Sequence, residues 1–170
     1  MAEGMKVTER FTAAPPGAAA DTAADAIVAR LGAGRFAIDL ADVAEVGRVP
    51  VITRIPGVPD WLTGLTNWRG RILPVLDLRH LLGADPGTGT GCARLVVVTT
   101  DGAAVGLLVD AVEGTTSIGT GLAPVPSVLP GAGAELLRGQ VPREDGPIAV
   151  LDVEALARLR ESLPRGRRSA

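Results

Sequence analysis

One histidine, His80, one cysteine, Cys92, and three aspartates that each close an apolar run, Asp77, Asp110 and Asp152, are the side chains best suited by type and position to chemistry. A lone histidine builds no His cluster or zincin motif and leaves most histidine-dependent triads without a base. It can serve as a phospho-acceptor, but that chemistry sits on a helical bundle, and nothing in this chain reads as one. His80 therefore reads as a surface side chain. A lone cysteine forms no intramolecular disulfide and no cysteine-based zinc site. Cys92 has only Arg94 nearby to acidify it, so it reads as an incidental thiol. The three aspartates could pair for acid/base work or hold Mg²⁺. Each, however, falls where a strand-like run ends and where Asp commonly caps a turn or helix. No nucleophile or acid/base constellation emerges, so the expectation is a protein without catalytic residues, cofactor or metal.

The elements that must position any site are short. Apolar residues make up 46% of the 170 residues, but there are two Trp, two Phe and no Tyr, and 22 Gly and 13 Pro cut the chain into pieces. Interior Gly and Pro cost a helix about 1 and about 3 kcal/mol, whereas strand ends and turns accept both. The composition leans to an all-β protein. Lys and Arg total 17 against 19 Asp and Glu, a formal charge of −2. That balance lacks the basic surplus of a nucleic-acid binder, and the aromatics for stacking bases are missing. No apolar run approaches the roughly 20 residues that span a bilayer, and the first residues lack a signal-peptide core. A cytoplasmic protein with no direct membrane insertion is expected. Residues 1–24, rich in Ala, Pro and Gly, read as a disordered tail, and residues 164–170 as a short basic tail.

Between the tails the pattern is strand-like. Residues 26–31 and 35–40, joined by Gly32-Ala33-Gly34, read as a hairpin. Residues 49–55 read as a strand, 60–67 as a short helical turn, 71–76 as a buried strand and 78–82 as one helical turn. Residues 95–98 form the clearest strand, turned by Asp101-Gly102 into 104–109. Short strands at 138–141 and 148–151 precede a helix over 153–163, where Leu156, Leu159 and Leu163 keep helical spacing. The chain also repeats itself. Val43 and Val112 lie 69 positions apart, as do Arg69-Gly70 and Arg138-Gly139, while Val75-Leu76-Asp77 returns 75 positions on as Val150-Leu151-Asp152. The change of offset fits six residues inserted at the turn 142–146. Two related units of about 70 residues, each too small to stand alone, would share one core.

The stretch Gly64-Leu65-Thr66-Asn67-Trp68-Arg69-Gly70-Arg71-Ile72-Leu73-Pro74-Val75-Leu76-Asp77-Leu78 resembles the signature of the CheW-like domain family. Three further blocks fall in the family's order: Val43-x-Glu45-Val46, Val105-Gly106-Leu107-Leu108-Val109-Asp110, and Val150-Leu151-Asp152-Val153-Glu154. The resemblance runs from about residue 26 to 163. It implies a mainly β fold of two five-stranded, SH3-like β-barrel subdomains sharing a hydrophobic core, with a C-terminal helix, over a domain of residues 25–163. It also implies a chemotaxis adaptor that bridges the cytoplasmic hairpin of chemoreceptors to the regulatory domain of a CheA-type histidine kinase in arrays at the inner face of the membrane. An adaptor of pilus motility or development keeps the same fold. A small-ligand sensing module is the rival of a different class, and no cluster of polar residues converging on an apolar pocket points to it.

Carried onto this sequence, the resemblance implies receptor binding by Arg69, with Val43, Glu45, Gly64 and Asn67 around it. Arg69 either contacts a receptor carboxylate or braces the turn through carbonyls, and both can hold. Val43 and Glu45, two apart on a strand, are expected on one face, with Val43 equally suited to the core and Glu45 exposed. Gly64 and Gly70 answer to backbone conformation first, and Asn67 to a local hydrogen bond. Trp68 departs from the family's usual Leu. Its indole either reshapes the local core and needs an N–H partner, or is presented as an anchor. Trp61, after Pro59-Asp60, reads as the better interface candidate.

Overall fold

In the computed structural model, residues 24–84, 93–125 and 131–162 are described. Among these residues, ten strands and two helices follow in order: β1 Ala26–Leu31, β2 Gly34–Asp39, β3 Val43–Arg48, β4 Leu62–Trp68, β5 Arg71–Asp77, α1 Leu78–Leu82, β6 Arg94–Thr100, β7 Ala103–Val109, β8 Ala111–Thr116, β9 Leu137–Val141, β10 Ile148–Leu151 and α2 Val153–Glu161. A 3₁₀ helix, Gly131–Leu136, leads into β9. The strands form two five-stranded sheets, ordered β8-β1-β2-β10-β9 and β3-β6-β7-β5-β4. The expected mainly β architecture of two five-stranded units with a C-terminal helix is what the chain adopts. Residues 1–23 of the proposed N-terminal tail, the proposed C-terminal tail, Cys92 and Leu163 lie outside the described residues.

Each sheet takes strands from both halves of the chain. β3 follows β2 in sequence but pairs with β6, and β8 follows β7 but pairs with β1. The halves are thus interlocked through exchanged edge strands. Alternation along the strands sorts the core accordingly. Ile27, Ala29, Leu31 and Ile38 of one sheet meet Leu76, Val96, Val98 and Leu107 of the other in a shared core, which Leu78, Leu81 and Leu82 of α1 and Leu156 of α2 complete. The opposite face of each sheet carries its own small cluster. One holds Ala26, Val28, Ala37, Ile148 and Val150, the other Leu73, Val75, Leu95 and Val97.

The register makes the duplication explicit and corrects two of its terms. Val43 faces Val98 and Val112 faces Ala29, each beside a bulge, so β3 and β8 correspond at an offset of 69. Gly64 faces Val75 and Gly139 faces Val150, again beside bulges, so β4–β5 and β9–β10 correspond at 75. The backbone N–H of Asp77 donates to the Trp61 carbonyl and that of Asp152 to the Leu136 carbonyl, at the same spacing. Gly139 is therefore the counterpart of Gly64, and the Arg-Gly match at 69 is not structural: Arg69-Gly70 form a turn, whereas Arg138-Gly139 lie inside β9. The extra residues enter before β9, between the bridges Thr53–Leu65 and Ala123–Gln140 and the strands that follow, not at the turn 142–146.

Two element expectations fail. Residues 49–55 form no strand and meet β4 through the Thr53–Leu65 bridge and a hydrogen bond from Thr66 Oγ1 to the Val51 carbonyl at 2.8 Å. Pro50 and Pro56 remove backbone donors at both ends of that segment. Residues 62–68 are a strand, not a helical turn, because Leu62, Gly64 and Thr66 alternate inward. The hairpin, the Asp101-Gly102 turn and both helices stand where they were expected, with α2 ending at Glu161.

Candidate functional site

The β4–β5 hairpin closes through Arg69 and Gly70, at φ 51° and 76°. A two-residue loop with both centres at positive φ is the turn whose twist matches the flanking strands, and Asn-Gly is its usual sequence. Here the first place is held by arginine, and an L-residue in that region costs about 1–2 kcal/mol. Asn67 stabilises the turn, its Oδ1 accepting the Gly70 N–H at 2.9 Å. The expected local role of Asn67 is thus present.

Glu45 reaches the hairpin tip from the edge strand β3. Its Oε2 accepts from Trp68 Nε1 at 2.8 Å and from Arg69 Nε at 3.0 Å, with Arg69 Nη2 also at 3.0 Å. The guanidinium carbon of Arg69 stands 5.7 Å from the Trp68 ring centroid, a cation–π distance. Trp68 rests on the small cluster of Leu73, Val75, Leu95 and Val97. The indole therefore plugs the open side of its sheet and finds the N–H partner it needs. Together the three side chains clasp the hairpin tip to the edge strand.

Exposure divides the clasp. The Glu45 side chain is 12% exposed, against 57% for Arg69. Glu45 is thus half of a largely covered pair, contrary to the expected exposed carboxylate. Its charge is matched locally, and two donors of the five-donor guanidinium fork converge on one of its oxygens. Most of the arginine remains turned to water. Arg69 is held by this carboxylate, not by the carbonyls that the bracing reading supposed.

The bulge between Val43 and Glu45 overturns the shared-face expectation. Val43 opposes Val98 and Glu45 the adjacent Val97, with Ala44 inserted between them, so Val43 packs on the shared core while Glu45 joins the Trp68 side. Gly64 also stands apart from the turn. Buried in β4, it is crossed by the Thr53 backbone, and a Cβ there would fall on the Thr53 carbonyl oxygen. The close approach that this glycine permits is made by the chain itself. The structure thus brings together Glu45, Asn67 and Arg69, and places Val43 and Gly64 in the framework behind them.

Sequence reading missed Ile72 and Val51, which are 75% and 89% exposed. Ile72 pairs with Asn67 across the hairpin and lies on the face of β5 opposite Leu73 and Trp68. It was read into a buried strand, although its place two residues beyond the turn was the available signal. Trp61 moves the other way. It packs on the shared core instead of standing out from a loop.

The carboxylates singled out at strand ends are structural. Asp77 caps α1 by accepting the Arg79 N–H at 2.9 Å, and Asp152 caps α2 by accepting the Ala155 N–H at 3.0 Å. Asp110 accepts the Gly32 N–H at 2.7 Å, fixing the β1–β2 turn, and Arg79 lies within 3.4 Å of it. His80 is an exposed side chain whose Nδ1 lies 3.1 Å from Asp77 Oδ2. Among the described residues no group of three or more His, Cys, Asp or Glu is placed to hold a metal ion. No helix among them is long and apolar enough to cross a membrane.

Comparison with known proteins agrees with this geometry. The profile of the CheW-like domain matches residues 25–161. A probable chemotaxis protein CheW of Rhizobium etli is 29% identical over 76% of this chain and 84% of its own length. The chemotaxis protein CheW of Klebsiella aerogenes is 30% identical over 76% of this chain and 79% of its own. The protein PilI of Pseudomonas aeruginosa is 38% identical, but over 50% of this chain and 48% of its own length. The crystal structure of the scaffolding protein TtCheW from Thermoanaerobacter tengcongensis superposes with a TM-score of 0.69 at 28% identity, covering 80% of this chain and 88% of that one. With the profile spanning both interlocked sheets and the Glu45–Trp68–Arg69 clasp, the chain belongs to the CheW-like domain family.

Proposed function

We propose that the protein is a non-catalytic chemosensory adaptor that couples the cytoplasmic hairpin of chemoreceptors to the regulatory domain of a CheA-type histidine kinase. The observation that carries this reading is Arg69, placed at a hairpin tip in a costly backbone conformation and fixed by Glu45 with most of its guanidinium turned outward. Strain of this kind persists where surrounding structure enforces it, and it clusters at functional sites. A fixed, planar, always-charged fork suits a carboxylate on a helical partner. In this reading the carboxylates are spent on caps and turns, which leaves the protein to work by binding alone, in the cytoplasm beneath receptor arrays.

The likeness to PilI, 38% identical over half of this chain, supports a second circuit, pilus-based or developmental, for the same adaptor role. Calorimetric titration of the purified protein with a cognate receptor hairpin and, separately, with the kinase regulatory domain tests the proposal. Saturable binding to both is expected. Binding to neither would overturn the adaptor reading while leaving the fold intact.

A further inference from the structure

The duplication offers a comparison within one molecule. At the offsets set by the register, Arg143 stands where Trp68 stands and Gly114 where Glu45 stands. The clasp of the β3 sheet is therefore missing from its sister. In the β3 sheet the indole rests on the cluster that contains Leu73 and Val97; their counterparts, Ile148 and Val28, line an open cleft of about 280 Å³. A Cβ at Gly114 would meet nothing within 4 Å, so the place of the Glu45 side chain is open as well.

Two arginines stand on the walls. Arg143 Nη2 donates to Thr116 Oγ1 at 3.0 Å and to the Ser117 carbonyl at 2.6 Å. Arg35 donates to Asp145 Oδ2 at 2.6 Å and to the Gly146 carbonyl at 2.7 Å. Glu113 also lines the cleft and lies 3.7 Å from Arg30. The two cations and two carboxylates of the lining cancel, so the cleft has no call for a strongly charged ligand. Its volume lies below the roughly 300–1,000 Å³ of ordinary small-molecule sites, which fits one side chain better than a metabolite.

We propose that this cleft is a docking pocket for an aromatic side chain, tryptophan above all, presented by a partner protein. The sister sheet supplies the precedent, since the corresponding corner there is filled by the Trp68 indole resting on Leu73 and Val97. Arg35 and Arg143 line the cleft, where a guanidinium can meet an aromatic face, and buried aromatic anchors of this kind dominate protein interfaces. The inference stands apart from the coupling proposed for Arg69, because it concerns the other sheet and its own surface.

The test is a two-dimensional ¹⁵N NMR titration of the full chain with N-acetyl-tryptophanamide as probe and N-acetyl-leucinamide as control. Saturable shifts are expected on the amides of Val28, Gly114, Thr115 and Ile148, with the tryptophan probe at least fivefold tighter than the leucine probe. Arg143→Trp, which restores the missing indole in place, should weaken the tryptophan probe at least fivefold. Magnetisation transfer from the indole protons to the methyls of Val28 and Ile148 in the unaltered protein gives the same answer should that variant fail to fold. Shifts elsewhere, an equal response to the leucine probe, or undiminished binding by folded Arg143→Trp would overturn the proposal.

Discussion

Removing the Glu45 carboxylate should loosen the clasp by an amount that depends on Trp68. In Glu45→Ala the indole N–H loses its 2.8 Å acceptor and Arg69 loses its ion pair. An unmet buried donor costs about 1–3 kcal/mol, and the half-covered position of Trp68 puts its share in the lower part of that range. The Arg69 pair, with one exposed partner, adds only about 0.2–1 kcal/mol. The total expected loss is about 2 kcal/mol, a fall in Tm of about 4–8 °C for a domain of this size. In a Trp68→Leu background there is no indole to strand, so Glu45→Ala should cost only the arginine share. Urea unfolding of the wild type, both single variants and the double variant then yields a coupling energy of about 1–1.5 kcal/mol. Glu45→Gln, which keeps an acceptor for the indole, should recover most of the loss. A coupling within about 0.3 kcal/mol of zero would refute the reasoning, because the hydrogen bond would then not hold the hairpin to β3.

Other perturbations read different parts of the framework. Gly64→Ala drives a Cβ onto the Thr53 carbonyl and should destabilise by about 3 kcal/mol or more, whereas Gly70→Ala, with open space around it, should cost about 1 kcal/mol; chemical denaturation separates them. Asp152→Ala deprives α2 of its cap and should lower stability by about 1 kcal/mol, while Asp152→Asn should cost less in the same assay. Burial, with Asp39 beside it, raises the Asp42 carboxyl above its ordinary value. A raised folded-state carboxyl means that stability is lost as pH climbs from 3.8 through the shifted value. Asp42→Asn should therefore raise Tm at pH 7 and leave it nearly unchanged at pH 3, and an equal effect at both would contradict the assignment.

Much of the framework was legible because the relevant signals are local. Gly32 and Asp101-Gly102 announced turns, and both hold positive φ. Asp77 and Asp152 announced caps and serve as caps. The unbroken apolar run Leu95 to Val98 announced a strand covered on both faces, and its residues divide between two core clusters. What stayed hidden was set by tertiary contacts. No periodicity shows that β3 and β8 change sheets, since exchange depends on which edge each strand meets after folding. The bulge that sends Val43 and Glu45 to opposite faces inserts one residue without any sequence mark in Val43-Ala44-Glu45. Residues 60–67 read as a short helical turn, yet the pairing of 62–68 with β5 imposes period two. Arg69 was found through resemblance, while its left-handed backbone could not be read from a residue that seldom adopts it. The repeat misled at Arg138-Gly139 for a related reason: a dipeptide match carries no register.

The central claim is that the outward guanidinium of Arg69 makes the receptor contact. Arg69→Asn isolates it, since Asn-Gly is the preferred sequence for this turn and relieves strain, offsetting the lost ion pair. The variant should unfold within about 1 kcal/mol of the wild type. Its affinity for a cognate receptor hairpin, measured by calorimetry, should fall at least tenfold, about 1.4 kcal/mol, while binding to the kinase regulatory domain is unchanged. Undiminished receptor affinity in the folded variant would contradict the account.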